Sequence, residues 1–228
     1  MNVFRSFLFN IQFYIGTSIL VTICLPCLLF PRPFVLFVNS IWCLIMIKGM
    51  KWWLNTDINI IGEIPSKNKV VIYAIKHQSA WETVFCTDLF SMPSIVLKKA
   101  LIFLPVIGLY FLRSGAIPIT RDQGINALKK MGRKAKQAVK EKRSMMIFPQ
   151  GTRVNPGVTT KEKPYLPGVF FLYSQTKVSV IPVAHNAGLL WPKNSFIKYP
   201  NRLKSKSITI KILPEIQPGL SKIEFLQK

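Results

Sequence analysis

His77 and Glu82 stand five positions apart in the stretch VVIYAIKHQSAWET (70–83), a spacing that suits a general base and its orienting acid. A neutral imidazole takes a proton from a hydroxyl through one ring nitrogen when the other is held by an acceptor. A carboxylate nearby fixes that tautomer and stabilises the imidazolium formed as the proton moves. This is the division of labour in a serine triad, with the substrate's own hydroxyl in place of the serine. The same pair, standing alone, also fits the polar rim of a strand-to-helix turn, with Ser79 capping the helix and Glu82 as a helix-start acid. The only other histidine, His185 in VAHNAG, has no acid within twenty residues on either side and reads as structural or substrate-lining.

Three further groups fall where a strand is expected to end, the place where ligands collect in open α/β sheets. Arg121 follows GAIPIT (115–120) and is either an ordinary strand-end arginine or a bidentate clamp for a phosphate. FPQGTR (148–153) is a turn punctuated by Pro149 and Gly151 that can present backbone N–H groups and ends in Arg153. Pro182, in VIPVA (180–184), points to a strand end or an edge.

The elements that must position these groups are short apolar runs alternating with helical ones. Strands are expected at 69–75, 94–99, 115–120, 144–149, 178–184 and 207–213, and helices near 79–91, 101–112, 124–142 and 167–176. Such alternation predicts an α/β domain over 57–228, with a mostly parallel central sheet flanked by helices. The Pro/Gly-rich stretch 154–168 is a long loop of the kind that often carries function.

Residues 1–56 have a different character. No charged residue occurs from Ser6 to Pro31, a length that can span or deeply enter a hydrocarbon core of about 30 Å. A shorter apolar run (33–47) follows Arg32, and Lys48, Lys51, Trp52 and Trp53 then give the cationic and aromatic mix of a membrane interface. No small-x-small cleavage site ends the first run, and cleavage would leave the second unexplained, which argues against a signal peptide. A two-helix membrane motif is expected, either spanning or dipping into one leaflet, and the short second run favours the latter.

Half of the 228 residues are hydrophobic, and mean hydropathy is +0.30. Yet 31 Lys and Arg face 9 acids, a net charge of +22. Basicity with this much apolarity points to an anionic membrane surface rather than to nucleic acid. The helix at 124–143 carries a dense basic face, either simply solvated or in contact with anionic lipid, and no helix-turn-helix, zinc or base-stacking signature accompanies it. Cys24 and Cys27 have zinc-like spacing without a second ligand pair, and the four cysteines form no disulfide framework, so a reducing compartment is expected.

Together these stretches resemble the glycerolipid acyltransferases, in particular the bacterial 1-acylglycerol-3-phosphate acyltransferases, over roughly residues 65–215. KHQSAWET resembles the family's histidine-x4-acid block, and GAIPITR the block whose arginine, here Arg121, binds the substrate phosphate. FPQGTR is similar to the third block, usually Phe-Pro-Glu-Gly-Thr-Arg, and VIPVA to the fourth. LKKALIFLPVIG resembles the segment whose lysine, here Lys98 or Lys99, assists phosphate binding. The resemblance implies His77 as base, Glu82 as its orienter, and Lys98, Lys99, Arg121, Gln150, Gly151, Thr152, Arg153 and Pro182 around the substrate. The turn at Gly151 would bind the acceptor or an oxyanion. The implied reaction moves a fatty acyl group from acyl-CoA or acyl carrier protein to lysophosphatidic acid, at a bacterial cytoplasmic membrane, with no metal or tightly bound cofactor. Two positions depart from the family pattern: Glu82 stands where aspartate is usual, and Gln150 where glutamate is usual, which removes a charge. The competing readings are another lysophospholipid or an acyl-amino-acid lipid as acceptor, a thioester hydrolase, for which no Gly-x-Ser-x-Gly elbow is present, and an inactive membrane-binding scaffold.

Overall fold

The computed structural model describes residues 2–120 and 124–227. Its N-terminal part is a helical hairpin. Helix α1 (Asn2–Ile11), a π-helical turn (Gln12–Gly16) and α2 (Thr17–Ile23) run into one another, and Val3–Ile23 forms a 21-residue apolar segment. A 3₁₀ turn (Leu25–Leu29) and Pro31 reverse the chain into the 23-residue α3 (Arg32–Leu54). At 1.5 Å per residue the two arms are about 31 and 35 Å long. Asn55 ends α3 in the left-handed conformation (φ 49°), and its N–H bonds back to Lys51 O.

Several polar side chains in this apolar hairpin find their partners within it, because groups shielded from water need a partner. Gln12 donates to Ile45 O (2.8 Å) and accepts from Trp53 Nε1 (2.7 Å), while Trp42 Nε1 donates to Thr17 Oγ1 (2.9 Å). Gly49 makes room for this: a Cβ there would lie 2.2 Å from Gln12 Nε2. The outer face exposes Phe4, Phe7, Ile19, Ile23, Leu29 and Phe37.

Seven strands follow: β1 (Asp57–Ile61), β2 (Ile72–Ile75), β3 (Ser94–Lys98), β4 (Ile117–Ile119), β5 (Met145–Ile147), β6 (Val180–His185) and β7 (Ser207–Ile212). Their order is β1-β7-β6-β2-β5-β3-β4, and every pairing is parallel except β6 with β7. The expected α/β architecture with a mostly parallel sheet is therefore present. Between the strands lie α4 (Trp81–Leu89), α5 (Ile107–Ser114), α6 (Gly124–Lys140), α7 (Gly168–Thr176) and α8 (Ala187–Leu190), and α9 (Lys222–Gln227) closes the order.

Two elements differ from expectation. Strand β1 is an added edge strand, paired with β7 from Asp57↔Ser207 to Ile61↔Lys211. The helix expected over 101–112 is broken: a 3₁₀ turn (Lys99–Phe103) precedes Pro105, Val106 takes φ 59°, and α5 starts only at Ile107. Proline disfavours the α conformation in the residue before it and has no N–H to continue a helix, so one element becomes two.

The period-2 alternation of the strands divides the core between two layers. Tyr73, Met146 and Ile181 face Phe9 of α1, Met50 and Leu54 of α3, and α4. Their immediate neighbours Ile72, Met145 and Val180 face Met131 and Ala135 of α6 and Leu172 of α7. The hairpin touches the α/β body along its length. Asn10 Nδ2 donates to Phe196 O (2.8 Å), Tyr110 OH to Val21 O (3.2 Å), Arg113 to Phe30 O (2.6 Å), and Arg32 pairs with Glu141. Lys198, 1% exposed, fastens the end of α1 by donating to Asn10 Oδ1 (2.7 Å); its Nζ also donates to Phe196 O (2.8 Å) and lies 4.4 Å from the centre of the Trp191 ring.

Candidate active site

The turn between β2 and α4 is held by reciprocal capping bonds. Ser79 Oγ accepts from Trp81 N–H (3.1 Å), and Glu82, three residues on, reaches back to Ser79 N–H (2.9 Å to Oε1, 3.0 Å to Oε2). This is a variant of the S-x-x-E capping box, with the hydroxyl taking the N–H of Trp81 rather than that of Glu82. Glu82 Oε1 also accepts from Gln78 N–H (2.8 Å) and lies 2.7 Å from His77 Nδ1. The carboxylate is fully buried, and these donors replace the water it has lost. With an acceptor at Nδ1, the proton of neutral His77 sits there and Nε2 is left as the basic nitrogen.

His77 is braced from three more directions. Its N–H donates to Gln150 Oε1 (2.8 Å), its carbonyl accepts from Val154 N–H (2.9 Å), and its ring stacks on Phe148 with centroids 4.2 Å apart. The FPQGTR turn thus carries the floor on which the imidazole rests. Gln150 uses a carbonyl oxygen as its acceptor, so the amide supplies what this contact needs without a charge.

His185 is brought beside the pair although the sequence separates them widely. Its Nε2 donates to Lys76 O (2.6 Å), its Nδ1 accepts from Ala187 N–H (3.2 Å), and Glu82 Oε2 is 3.8 Å from Nε2. Burial lowers its pKa against the opposing pull of Glu82, which keeps the ring neutral beneath the carboxylate.

A cavity of about 770 Å³ opens at His77. Lys98, Gly151, Thr152, Arg153 and Lys193 also line it, and much of the remaining wall is apolar. One wall comes from the hairpin, with Leu20, Val21, Leu36, Trp42 and Cys43; another comes from Ala127, Leu128 and Met131 of α6 with Val169 of α7. No acidic side chain lines it among the described residues, so its polar end favours an anion.

The expected site residues divide as follows. His77, Lys98, Gly151, Thr152 and Arg153 share the cavity, and Glu82 and Gln150 lie behind His77. Lys99 is exposed at the start of the 3₁₀ turn and does not line the cavity. Pro182 sits in β6 opposite Ala74, away from the cavity lining. Arg121 lies outside the described residues; Ile119 and Gly124, on either side of it in sequence, both line the cavity. Lys193 was not anticipated, nor was the contribution of the hairpin to the cavity wall. Gly151 has φ +68°, a conformation suited to glycine, and its N–H closes the turn onto Phe148 O (2.9 Å).

The mostly parallel sheet flanked by helices agrees with the comparisons to known proteins. Residues 57–186 match the Acyltransferase family model, and the chain belongs to that family. It is 33% identical over 165 residues to the 1-acyl-sn-glycerol-3-phosphate acyltransferase of Pseudomonas aeruginosa, covering 72% of this chain and 61% of that one. It is 28% identical over 147 residues to the enzyme of the same name from Saccharomyces cerevisiae, covering 63% and 48%. The match thus spans less than two thirds of either relative. The crystal structure of the 1-acyl-sn-glycerophosphate (LPA) acyltransferase of Thermotoga maritima superposes with a TM-score of 0.74 at 19% identity, covering 100% of this chain and 92% of that one, and shares its fold.

Proposed function

We infer that the protein transfers a fatty acyl group from a thioester donor to the free 2-hydroxyl of 1-acylglycerol-3-phosphate, giving phosphatidic acid. The observation that carries this reading is the 2.7 Å His77–Glu82 pair, set where a cationic rim meets an apolar cavity. His77 Nε2 takes the proton of the hydroxyl as its oxygen attacks the thioester carbon. Glu82 holds the imidazolium so formed. The tetrahedral intermediate then collapses, the C–S bond breaks, and the departing sulfur receives the proton from His77. Lys98, Arg153 and Lys193, with Arg121, hold the acceptor phosphate, and its placement keeps the hydroxyl beside the base. A volume of about 770 Å³ lies in the range of ligand pockets and suits a long acyl chain.

The hairpin supports a membrane-seated arrangement. Its outer face is apolar, and its contacts with the body run from Asn10 to the Arg32–Glu141 pair at the tip. A hairpin fastened in this way lies along one leaflet, with residues 1–56 as the membrane-seated part, and keeps the cavity at the headgroup level where the acceptor resides. The basic surface suits the anionic cytoplasmic side of a bacterial inner membrane.

Purified protein in mixed micelles, supplied with palmitoyl-CoA and 1-acylglycerol-3-phosphate, should form phosphatidic acid. His77→Ala should lose about 10³-fold or more of the rate, as loss of a triad base does. Equal activity of the variant would refute the mechanism, and faster turnover of another lysolipid would reassign the acceptor.

A further inference from the structure

Helix α6 displays a cationic face that the catalytic pair does not use. Lys129, Lys130, Arg133, Lys134, Lys136 and Lys140 are all exposed on it, while the opposite side, around Met131 and Ala135, is buried against the sheet. Lys129 and Arg133, Lys130 and Lys134, and Lys136 and Lys140 are like-charge pairs at i,i+4, a spacing that destabilises a free helix. Among the described residues, none of the six is in an ion pair. An uncompensated row of charge of this kind is relieved when an anionic partner covers it.

The position of the row favours a soluble partner over a lipid surface. Helix α6 lies on the sheet face that carries Ile72, Met145 and Val180, whereas α1 and α3 lie on the face that carries Tyr73, Met146 and Ile181. A bilayer that takes up the apolar outer side of the hairpin is therefore across the sheet from the middle of α6, while Glu141, just past its end, meets the hairpin tip through Arg32. The N-terminal end of α6 also borders the cavity, through Gly124, Ala127 and Leu128. Exposed Ile125 stands at this end of the charged row, and exposed Leu166 lines the cavity that the helix end borders. Apolar contact flanked by charge is the composition of a protein interface.

We propose that α6 is the docking surface of an acidic acyl carrier protein, which presents its acyl thioester to the cavity at the N-terminal end of the helix. This rests on the acyl-transfer reading above. The carrier leaves as a free thiol once the C–O bond has formed and the C–S bond has broken, with the hydroxyl proton passed through His77 to sulfur. Docking through several exposed cations raises the association rate and makes it fall with added salt.

The test uses the full chain with Lys129, Lys130, Arg133 and Lys134 all changed to Glu, and a second variant with all four changed to Gln. Both are assayed with palmitoyl-carrier protein and palmitoyl-CoA in parallel. With the carrier donor, the Glu variant should turn over about 30-fold or more less efficiently, judged by kcat/KM, and the Gln variant should lose less. With palmitoyl-CoA the change should stay under about threefold. Unchanged use of the carrier in both variants, with palmitoyl-CoA turnover intact, would overturn the docking surface alone. Equal losses with the two donors would assign the face to general anion attraction and also overturn it. Reduced binding to phosphatidylglycerol-containing vesicles with carrier kinetics intact would assign it to the membrane instead. No product from either donor with the wild type would overturn the acyl-transfer reading itself.

Discussion

Glu82→Gln separates the charge of the His77 partner from its shape. Oε1 of Glu82 accepts from His77 Nδ1 at 2.7 Å, Gln78 N–H at 2.8 Å and Ser79 N–H at 2.9 Å. An amide oxygen in that position keeps all three bonds, and the two backbone donors hold it there. The imidazole therefore retains its orientation and its tautomer. The amide nitrogen takes the place of Oε2, where it forfeits the 3.0 Å contact with Ser79 N–H and faces His185 Nε2, itself a donor to Lys76 O. An unsatisfied buried amide group costs about 1–3 kcal/mol of stability. The catalytic loss is larger. Two unit charges with centres about 4 Å apart, at an effective dielectric near 20, attract by about 4 kcal/mol. Removing that attraction from the imidazolium-like transition state lowers kcat by about 10³-fold. The acceptor's KM should hold, because Glu82 lies behind His77 and does not line the cavity. The measurement is initial thiol release at saturating 1-acylglycerol-3-phosphate, beside a thermal melt of the same preparation. A variant that melts cooperatively and keeps more than a tenth of the wild-type kcat would refute the claim that His77 becomes cationic against Glu82.

Two further outcomes follow from contacts around the site and the hairpin. Gln150→Glu keeps the acceptor for His77 N–H and should retain activity within about threefold, whereas Gln150→Ala leaves that N–H unpaired and should lose about 1–3 kcal/mol of stability; the two melts and rates, compared directly, check this. Burial lowers the Lys198 ammonium from its ordinary 10.5 to about 8. Between those values the unfolded chain holds a proton that the folded protein has released, so this group makes stability rise with pH across the window and opposes folding most below pH 8. Lys198→Met should flatten that rise in melting temperature, and an unchanged slope would show that the buried lysine keeps its charge.

The strands from β2 to β7 were legible because their β-branched and apolar runs are bounded by turn residues, and the sheet they build needs little else. Strand β1 was not, since four of its five residues are exposed and its partner β7 lies about 150 positions away. The break before α5 was written in Pro105, but the apolar spacing continues through it and masks the stop. At the site, residue types and order indicated His77 and Glu82, because an acid in the first helical turn can fold back on a neighbour. Lys193 gave no such signal: it is one of 31 basic residues and sits in an irregular loop. The role of Gln150 was equally hidden, since a side chain that holds another residue's backbone N–H has no signature in spacing. The approach of His185 to Glu82 depends on β2 and β6 being neighbours, a pairing that sequence alone did not specify.

The wall that Leu20, Val21 and Trp42 give to the cavity means that the hairpin is no detachable handle. Trimming it to obtain a soluble fragment would open the binding chamber along one side and strip Asn10 from Lys198. An unrelated apolar helix pair grafted in its place would leave the chamber unwalled. Hairpin and α/β body thus build the chamber together, and a chimera between relatives should work only where the two halves match each other.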